Sequence, residues 1–257
     1  MKIILITDPH LVFPGNSLTG LDPAQRFRKC IEHVNEHHFD AEFAILNGDI
    51  THYGHRESYQ EAKEILSQLH MPFHITIGNH DDRSVCLEVF DDIKPVKGFV
   101  QKAIETEEGC FILLDTADKG TSAGFLCEDR LHWLRMKLEE TKGRPVYIFM
   151  HHPPFSVKIP ALDRCKLVND EEFYDVLAQH GSVKHIFAGH VHLPISGHWR
   201  NIPFTTILGT HQQSPVTYVG DRYVGDVQPS AYGVVFIDEN SIVVHSHDYL
   251  ERDLFVG

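Results

Sequence analysis

Five short apolar runs in this 257-residue chain each end in histidine, aspartate or asparagine, and helix-like segments separate several of them. Lys2 to Thr7 leads into Asp8-Pro9-His10, Phe43 to Leu46 into Asn47-Gly48-Asp49, and Phe73 to Ile77 into Gly78-Asn79-His80-Asp81. Val146 to Met150 leads into His151-His152-Pro153-Pro154, and Val183 to Ala188 into Gly189-His190-Val191-His192. Apolar runs of this length bounded by turn residues read as buried strands. Behind Asp22-Pro23, a cap followed by proline at the first helical position, Phe27, Ile31 and Val34 recur at helical spacing. The same spacing returns at Tyr59, Ala62, Ile65, Leu66 and Leu69, then at Leu131, Leu134 and Leu138, then at Phe173, Val176 and Leu177. Cys110 to Leu114 adds a buried strand, and after Ile195 the pattern turns to β, with Thr205 to Leu208, Val234 to Ile237 and Ile242 to His245. Alternation of this kind predicts an α/β protein with a mixed sheet or two. With no linker or repeat in the chain, one domain over 1–257 is expected, its part after about residue 195 rich in β structure.

The position of the polar residues points to chemistry. In open α/β sheets, ligands bind outside the carboxyl ends of the strands. On an extended chain, residues i and i+2 point to one side, so Asp8 with His10, and His190 with His192, are expected to aim at one place. Glycines at 48, 78 and 189 allow close backbone approach. An isolated Asp-x-His at a strand end is ordinarily a cap or a surface turn. Five ligand-bearing strand ends along one edge are a metal site, with Asp8, His10, Asp49, Asn79, His151, His190 and His192 as candidate ligands. Carboxylate, imidazole and amide oxygen without thiolate suit Zn, Mn or Fe(II).

Composition narrows the partners. A formal charge of −13 supplies no basic footprint for a nucleic-acid polymer. The five cysteines are widely spaced with no C-x-x-C pair, as in reduced cytoplasmic proteins. No run approaches a membrane span, so a cytoplasmic, membrane-free protein is expected. Of the 20 histidines, His152 directly follows a ligand and is expected to turn away from it. His52 and His55 lie just past Asp49, within reach of a substrate.

Asp8-x-His10, Gly48-Asp49, Gly78-Asn79-His80-Asp81, His151-x-Pro-Pro and Gly189-His190-x-His192 together resemble the calcineurin-like metallophosphoesterase superfamily, over residues 1 to about 192. The stretches 77–82 and 150–154 are most similar to its class III cyclic nucleotide phosphodiesterase and glycerophosphodiesterase branch. The resemblance implies two facing mixed β-sheets flanked by helices, and two divalent cations (Mn, Fe, Zn or Co). It places Asp8, His10 and His192 on the first cation, Asn79, His151 and His190 on the second, and Asp49 between them. It makes His80 the catalytic histidine and general acid, with Asn79, His80 and His211 touching substrate. Attack by a metal-bridging hydroxide on cyclic nucleotides or glycerophosphodiesters is the implied reaction. The implied assembly is a homo-oligomer, with contacts from the region after about residue 195. Alternatives are a phosphomonoesterase and an inactive scaffold of the same fold. A protein phosphatase is disfavoured, because Gly48-Asp49-Ile50-Thr51-His52-Tyr53-Gly54 lacks that group's arginine.

Overall fold

A computed structural model of the chain describes residues 1–220, 222–227 and 229–250. The apolar runs become β1 (Lys2–Ile6), β2 (Phe43–Asn47), β3 (Phe73–Thr76), β5 (Cys110–Leu114), β6 (Val146–Met150) and β7 (Val183–Ala188). Also present are β4 (Lys102–Glu105), β8 (Ile195–Trp199), β9 (Ile202–Thr206), β10 (Ala231–Ile237) and β11 (Ile242–Asp248). They pair into two sheets, β11-β10-β1-β2-β3 and β4-β5-β6-β7-β9-β8. Both are mixed. β1, β2 and β3 run parallel while β10 and β11 run antiparallel. β5, β6, β7 and β9 run parallel, with β4 and β8 antiparallel at the edges.

The helices lie on the outer faces. α1 (Pro23–His37), α2 (Arg56–Leu66) and α3 (Arg83–Val89) bury Phe27, Ile31, Tyr59, Ile65 and Cys86 against the first sheet. α4 (Glu128–Glu140), the short α5 (Pro160–Asp163) and α6 (Asp170–Ala178) lie between the strands of the second, and α4 and α6 bury Leu131, Leu134, Phe173 and Val176 against it. Between the sheets, Ile3, Leu5, Phe43 and Ile45 meet Phe111, Phe149 and Phe187. Strands covered on both faces need apolar residues at every position, and β2, β5 and β6 are buried throughout. The sequence hid β4 and β8, edge strands such as Lys102-Ala103-Ile104-Glu105 with no apolar run.

The strands after residue 195 are built into both sheets. β8 and β9 extend the second sheet, and β10 lies against β1 inside the first, with Lys2 opposite Phe236 and Leu5 opposite Gly233. Pairing with β1 carries the apolar β10 into the sheet, where Tyr232 and Val234 join the core under the helices, Val235 and Ile237 join the core between the sheets, and Phe236 stays exposed. The end of that region, 251–257, lies outside the described residues. No helix among the described residues is long and apolar enough to cross a membrane.

The carboxyl edges of the two sheets are tied together. Asn47 donates from Nδ2 to the Met150 carbonyl at 3.0 Å, and its own carbonyl accepts from His151 Nδ1 at 2.9 Å. The polar ends of β2 and β6 are thereby held side by side.

Candidate metal centre

β1 stops at Ile6 and β7 at Ala188, so the ligand pairs are not on extended chain. Asp8 and His10 have φ of 57° and 49°, Asp49 has 49°, and His190 and His192 have 69° and 51°. The expectation of an extended i, i+2 geometry is therefore corrected. Each pair converges through left-handed turns, which cost a non-glycine residue on the order of 1–2 kcal/mol apiece. Such strain persists where surrounding structure over-determines it, and it gathers at functional sites. Hydrogen bonds from Asp8 N to the Gly48 carbonyl (3.2 Å) and His10 N to the Asp49 carbonyl (3.0 Å) impose it here.

The side chains meet below these turns. Asp49 Oδ2 lies 3.2 Å from His151 Nε2 and 3.6 Å from His10 Nε2. Asp8 Oδ1 lies 3.1 Å from His192 Nε2, and His10 Nε2 and His192 Nε2 are 3.2 Å apart. Asp8, His10, Asp49, His151 and His192 are all buried. His192 Nδ1 donates to the Gln212 carbonyl at 2.7 Å, as His151 Nδ1 does to Asn47. Each ring therefore points Nε2 inward, and in the neutral ring that nitrogen is the bare one, the tautomer that a metal-ligating histidine takes from an outer partner. Asp8 Oδ1, Asn79 Oδ1 and His151 Nε2 are buried without a hydrogen bond, a costly state unless something else satisfies them. A Cβ on Gly78 would sit 2.2 Å from Asp49 Oδ1 and 2.6 Å from His151 Nε2, so only glycine leaves room for this cluster. A divalent cation fits these donors.

Charge says the same. Burial acts to raise Asp8 and Asp49, yet the His192 and His151 imidazoles hold both carboxyls well below the usual range. Burial opposes protonation of His151, but Asp49 and Asp8 draw it up to about 9. His190, half-buried and with its ring facing that of His151, is pushed down to about 3 by desolvation and the His151 charge. The two carboxylates thus demand positive charge beside a cavity whose described lining residues include no lysine or arginine.

Residues 1–194 match the family model described as calcineurin-like phosphoesterase. The chain belongs to that family. It is 34% identical to a Rhodopseudomonas palustris protein named probable cyclic nucleotide phosphodiesterase, over 97% of this chain and 93% of that one. It is 30% identical to a probable glycerophosphodiester phosphodiesterase of Arcobacter nitrofigilis, over 96% and 92%. Identity to the 3',5'-cyclic adenosine monophosphate phosphodiesterase of Escherichia coli K12 is 27%, over 77% and 72%. Among solved structures, a dimetal phosphatase from Danio rerio superimposes with a TM-score of 0.73 at 18% identity, covering 97% of this chain and 96% of that one. At that identity the likeness concerns the fold.

In this calcineurin-like phosphoesterase the cluster opens into a cavity of about 330 Å³. His80 lines it, donating its main-chain N–H to Asp49 Oδ1 at 2.9 Å and its Nδ1–H to the His52 carbonyl at 2.9 Å. His52 also lines it, as the sequence allowed, whereas His55 takes the N-cap position of α2. His152 does not turn away as expected. Its ring stands 4.8 Å from that of His190 and its Nδ1 meets Thr116 Oγ1 at 2.7 Å, because the chain bends after β6 instead of continuing extended. His211, expected free of core packing, is 0% exposed. The Arg26 guanidinium grips its carbonyl at 2.7 Å, and its ring Nε2 lies 3.5 Å from Thr19 Oγ1. The neighbouring Gln212 and the more distant Tyr223 reach the cavity instead.

Asp81 was legible as a motif residue without a role. Its carboxylate accepts from Ile50 N, Thr51 N, Gly78 N and Tyr59 Oη at 2.8–3.1 Å. It clamps the turn carrying Asp49 to the turn carrying Asn79, and no periodicity in the sequence signals that. A larger cavity of about 550 Å³, around Trp133 and Lys102, contains none of the candidate ligands.

Proposed function

We propose that this protein is a dinuclear metal-dependent phosphodiesterase for small diesters, with cyclic nucleotides and glycerophosphodiesters as the first candidates. The observation that carries the reading is the buried convergence of His10 and His151 on Asp49 and of His10 and His192 on Asp8, with donor atoms left unsatisfied. Asp8, His10 and His192 would hold one cation, Asn79, His151 and His190 the other, and Asp49 both. Mn, Fe, Zn or Co suits this oxygen and imidazole set. Bound there, two divalent cations supply an activated water near neutral pH and neutralise charge at the phosphoryl group.

The chain's own residues do the rest. Asn79 and His80 stand at the cavity wall beside Asp49, where they would face a phosphate oxygen and the leaving oxygen. His80 Nδ1–H is engaged by the His52 carbonyl, so a proton for the departing alkoxide would come from Nε2 of the doubly protonated ring, leaving a neutral imidazole that keeps its Nδ1–H. His211, whose carbonyl Arg26 holds, would act on the substrate side by fixing the loop that brings Gln212 to the cavity. The five cysteines are free, which suits a reducing cytoplasm.

The cavity favours a diester over a monoester. Ala161, Leu162 and Tyr223 give it an apolar wall, and no lysine or arginine appears among its lining residues. A monoanionic diester with an organic group on each side matches such a wall better than a dianionic monoester does. Turnover of bis(p-nitrophenyl) phosphate against p-nitrophenyl phosphate with Mn²⁺ tests this, and the diester is expected to show the higher kcat/KM. A clear monoester preference would overturn the substrate class, whereas a diester preference leads to a screen over cyclic nucleotides and glycerophosphodiesters to name the substrate.

A further inference from the structure

The turn after β2 places a second histidine behind the first. His52 Nδ1 lies 3.2 Å from His10 Nδ1, while His10 Nε2 faces Asp49, Asp8 and His192. The His52 carbonyl accepts from His80 Nδ1, and the two rings stack with centroids 4.5 Å apart and planes 22° from parallel. The turn itself is fixed. His52 N donates to the Leu11 carbonyl at 2.8 Å, one residue beyond His10, and Thr51 N donates to Asp81 at 3.0 Å. One residue thus stands between a candidate ligand and the candidate acid.

Two imidazole nitrogens 3.2 Å apart must share one proton, because two lone pairs repel and two N–H groups collide. A neutral His10 that offers its Nε2 lone pair to a cation carries its proton on Nδ1, and that proton points at His52. His52 accepts it with its Nδ1 lone pair and keeps its own proton on Nε2. We propose that His52 is a positioning residue of the centre, its side chain fixing the tautomer and tilt of His10 while its main-chain carbonyl fixes His80. Backbone carbonyls do the first of these tasks for His151 and His192. At His10 a side chain does it, which makes this contact open to mutation. The inference rests on the metal-centre reading above.

Asparagine carries Oδ1 at the same distance from Cβ as histidine carries Nδ1, so His52→Asn keeps an acceptor for His10. His52→Phe keeps a ring stacked on His80 and removes the acceptor. The test is calorimetric titration of Mn²⁺, and in parallel Zn²⁺, into the metal-stripped wild type and both variants, with thermal melts to verify folding. Outer partners of metal-ligating histidines are worth about 10–100-fold in metal affinity. His52→Phe is expected to weaken one class of site by that factor, and His52→Asn to restore most of the loss. Wild-type affinity in His52→Phe overturns the inference, and so does an equal loss in both variants. A wild type that takes up neither metal overturns the metal-centre reading itself, and the inference falls with it.

Discussion

At the scale of single residues, two substitutions separate holding a cation from using it. His80→Ala removes a proton donor and leaves Asp8, His10, Asp49, His151 and His192 in place. Metal content should be unchanged, while turnover of diesters with poor leaving groups falls on the order of 10²–10⁴-fold. The loss should shrink on a nitrophenyl diester, whose leaving group needs no proton; equal losses on both would reject the general-acid role. Gly78→Ala works the opposite way, since its Cβ would drive into Asp49 Oδ1 and His151 Nε2. It should lower metal content and activity together while the far-ultraviolet dichroism stays native. Retained metal in this variant would show that the cluster yields more readily than its packing implies. The residue types of the site were legible because histidine, aspartate and asparagine after apolar runs are few and ordered. Their backbone was not, since left-handed φ at Asp8, His10 and Asp49 arises from contacts between strands far apart in sequence. The burial of His211 was not legible for the same reason: the Arg26 and Thr19 contacts at its carbonyl and ring come from 185 and 192 residues away.

At the scale of elements, the helices were readable where local chemistry sets them. Asp22 accepts from Gln25 N at 3.1 Å and Pro23 opens α1, as the sequence indicated. Asp22→Ala should cost about 1 kcal/mol, a shift in Tm of about 2–4 °C for a chain of this size. An unchanged Tm would mean that packing of Phe27, Ile31 and Val34 alone defines the helix start. The C-terminal end of α1 carries a pH dependence. His33 is pushed down to about 4 by burial and the His37 charge, and His38 to about 4 by burial and Lys2. Unfolded, both would take up protons near the ordinary histidine value of 6.5. The unfolded state therefore binds more protons between those values, and stability should fall as pH drops from 6.5 toward 4. Urea midpoints at pH 7 and pH 5 measure the slope, which should flatten in a His33→Gln/His38→Gln variant. An identical slope would place the acid sensitivity elsewhere. Edge strands β4 and β8 stayed hidden because a half-exposed strand such as Ile195-Ser196-Gly197-His198-Trp199 has no apolar run to betray it.

At the scale of the whole molecule, two sheets must pack face to face with their carboxyl ends side by side before any ligand set exists, because Asp8, Asp49 and Asn79 follow strands of the first sheet and His151, His190 and His192 follow strands of the second. Asn47 spans that junction with both its amide and its carbonyl. Assembly is a further expectation at this scale. The segment between β9 and β10 exposes Val216, Tyr218, Val219 and Val224, and light scattering at micromolar concentration should report a dimer or larger, a monomer contradicting it. The central claim is a pair of cations sharing Asp49. Crystals of the Mn²⁺-loaded protein, measured on both sides of the manganese absorption edge, test it most directly. Two anomalous peaks in contact with Asp49, one beside His10 and His192 and the other beside His151 and His190, are the predicted result. A single peak, or none touching Asp49, would contradict it.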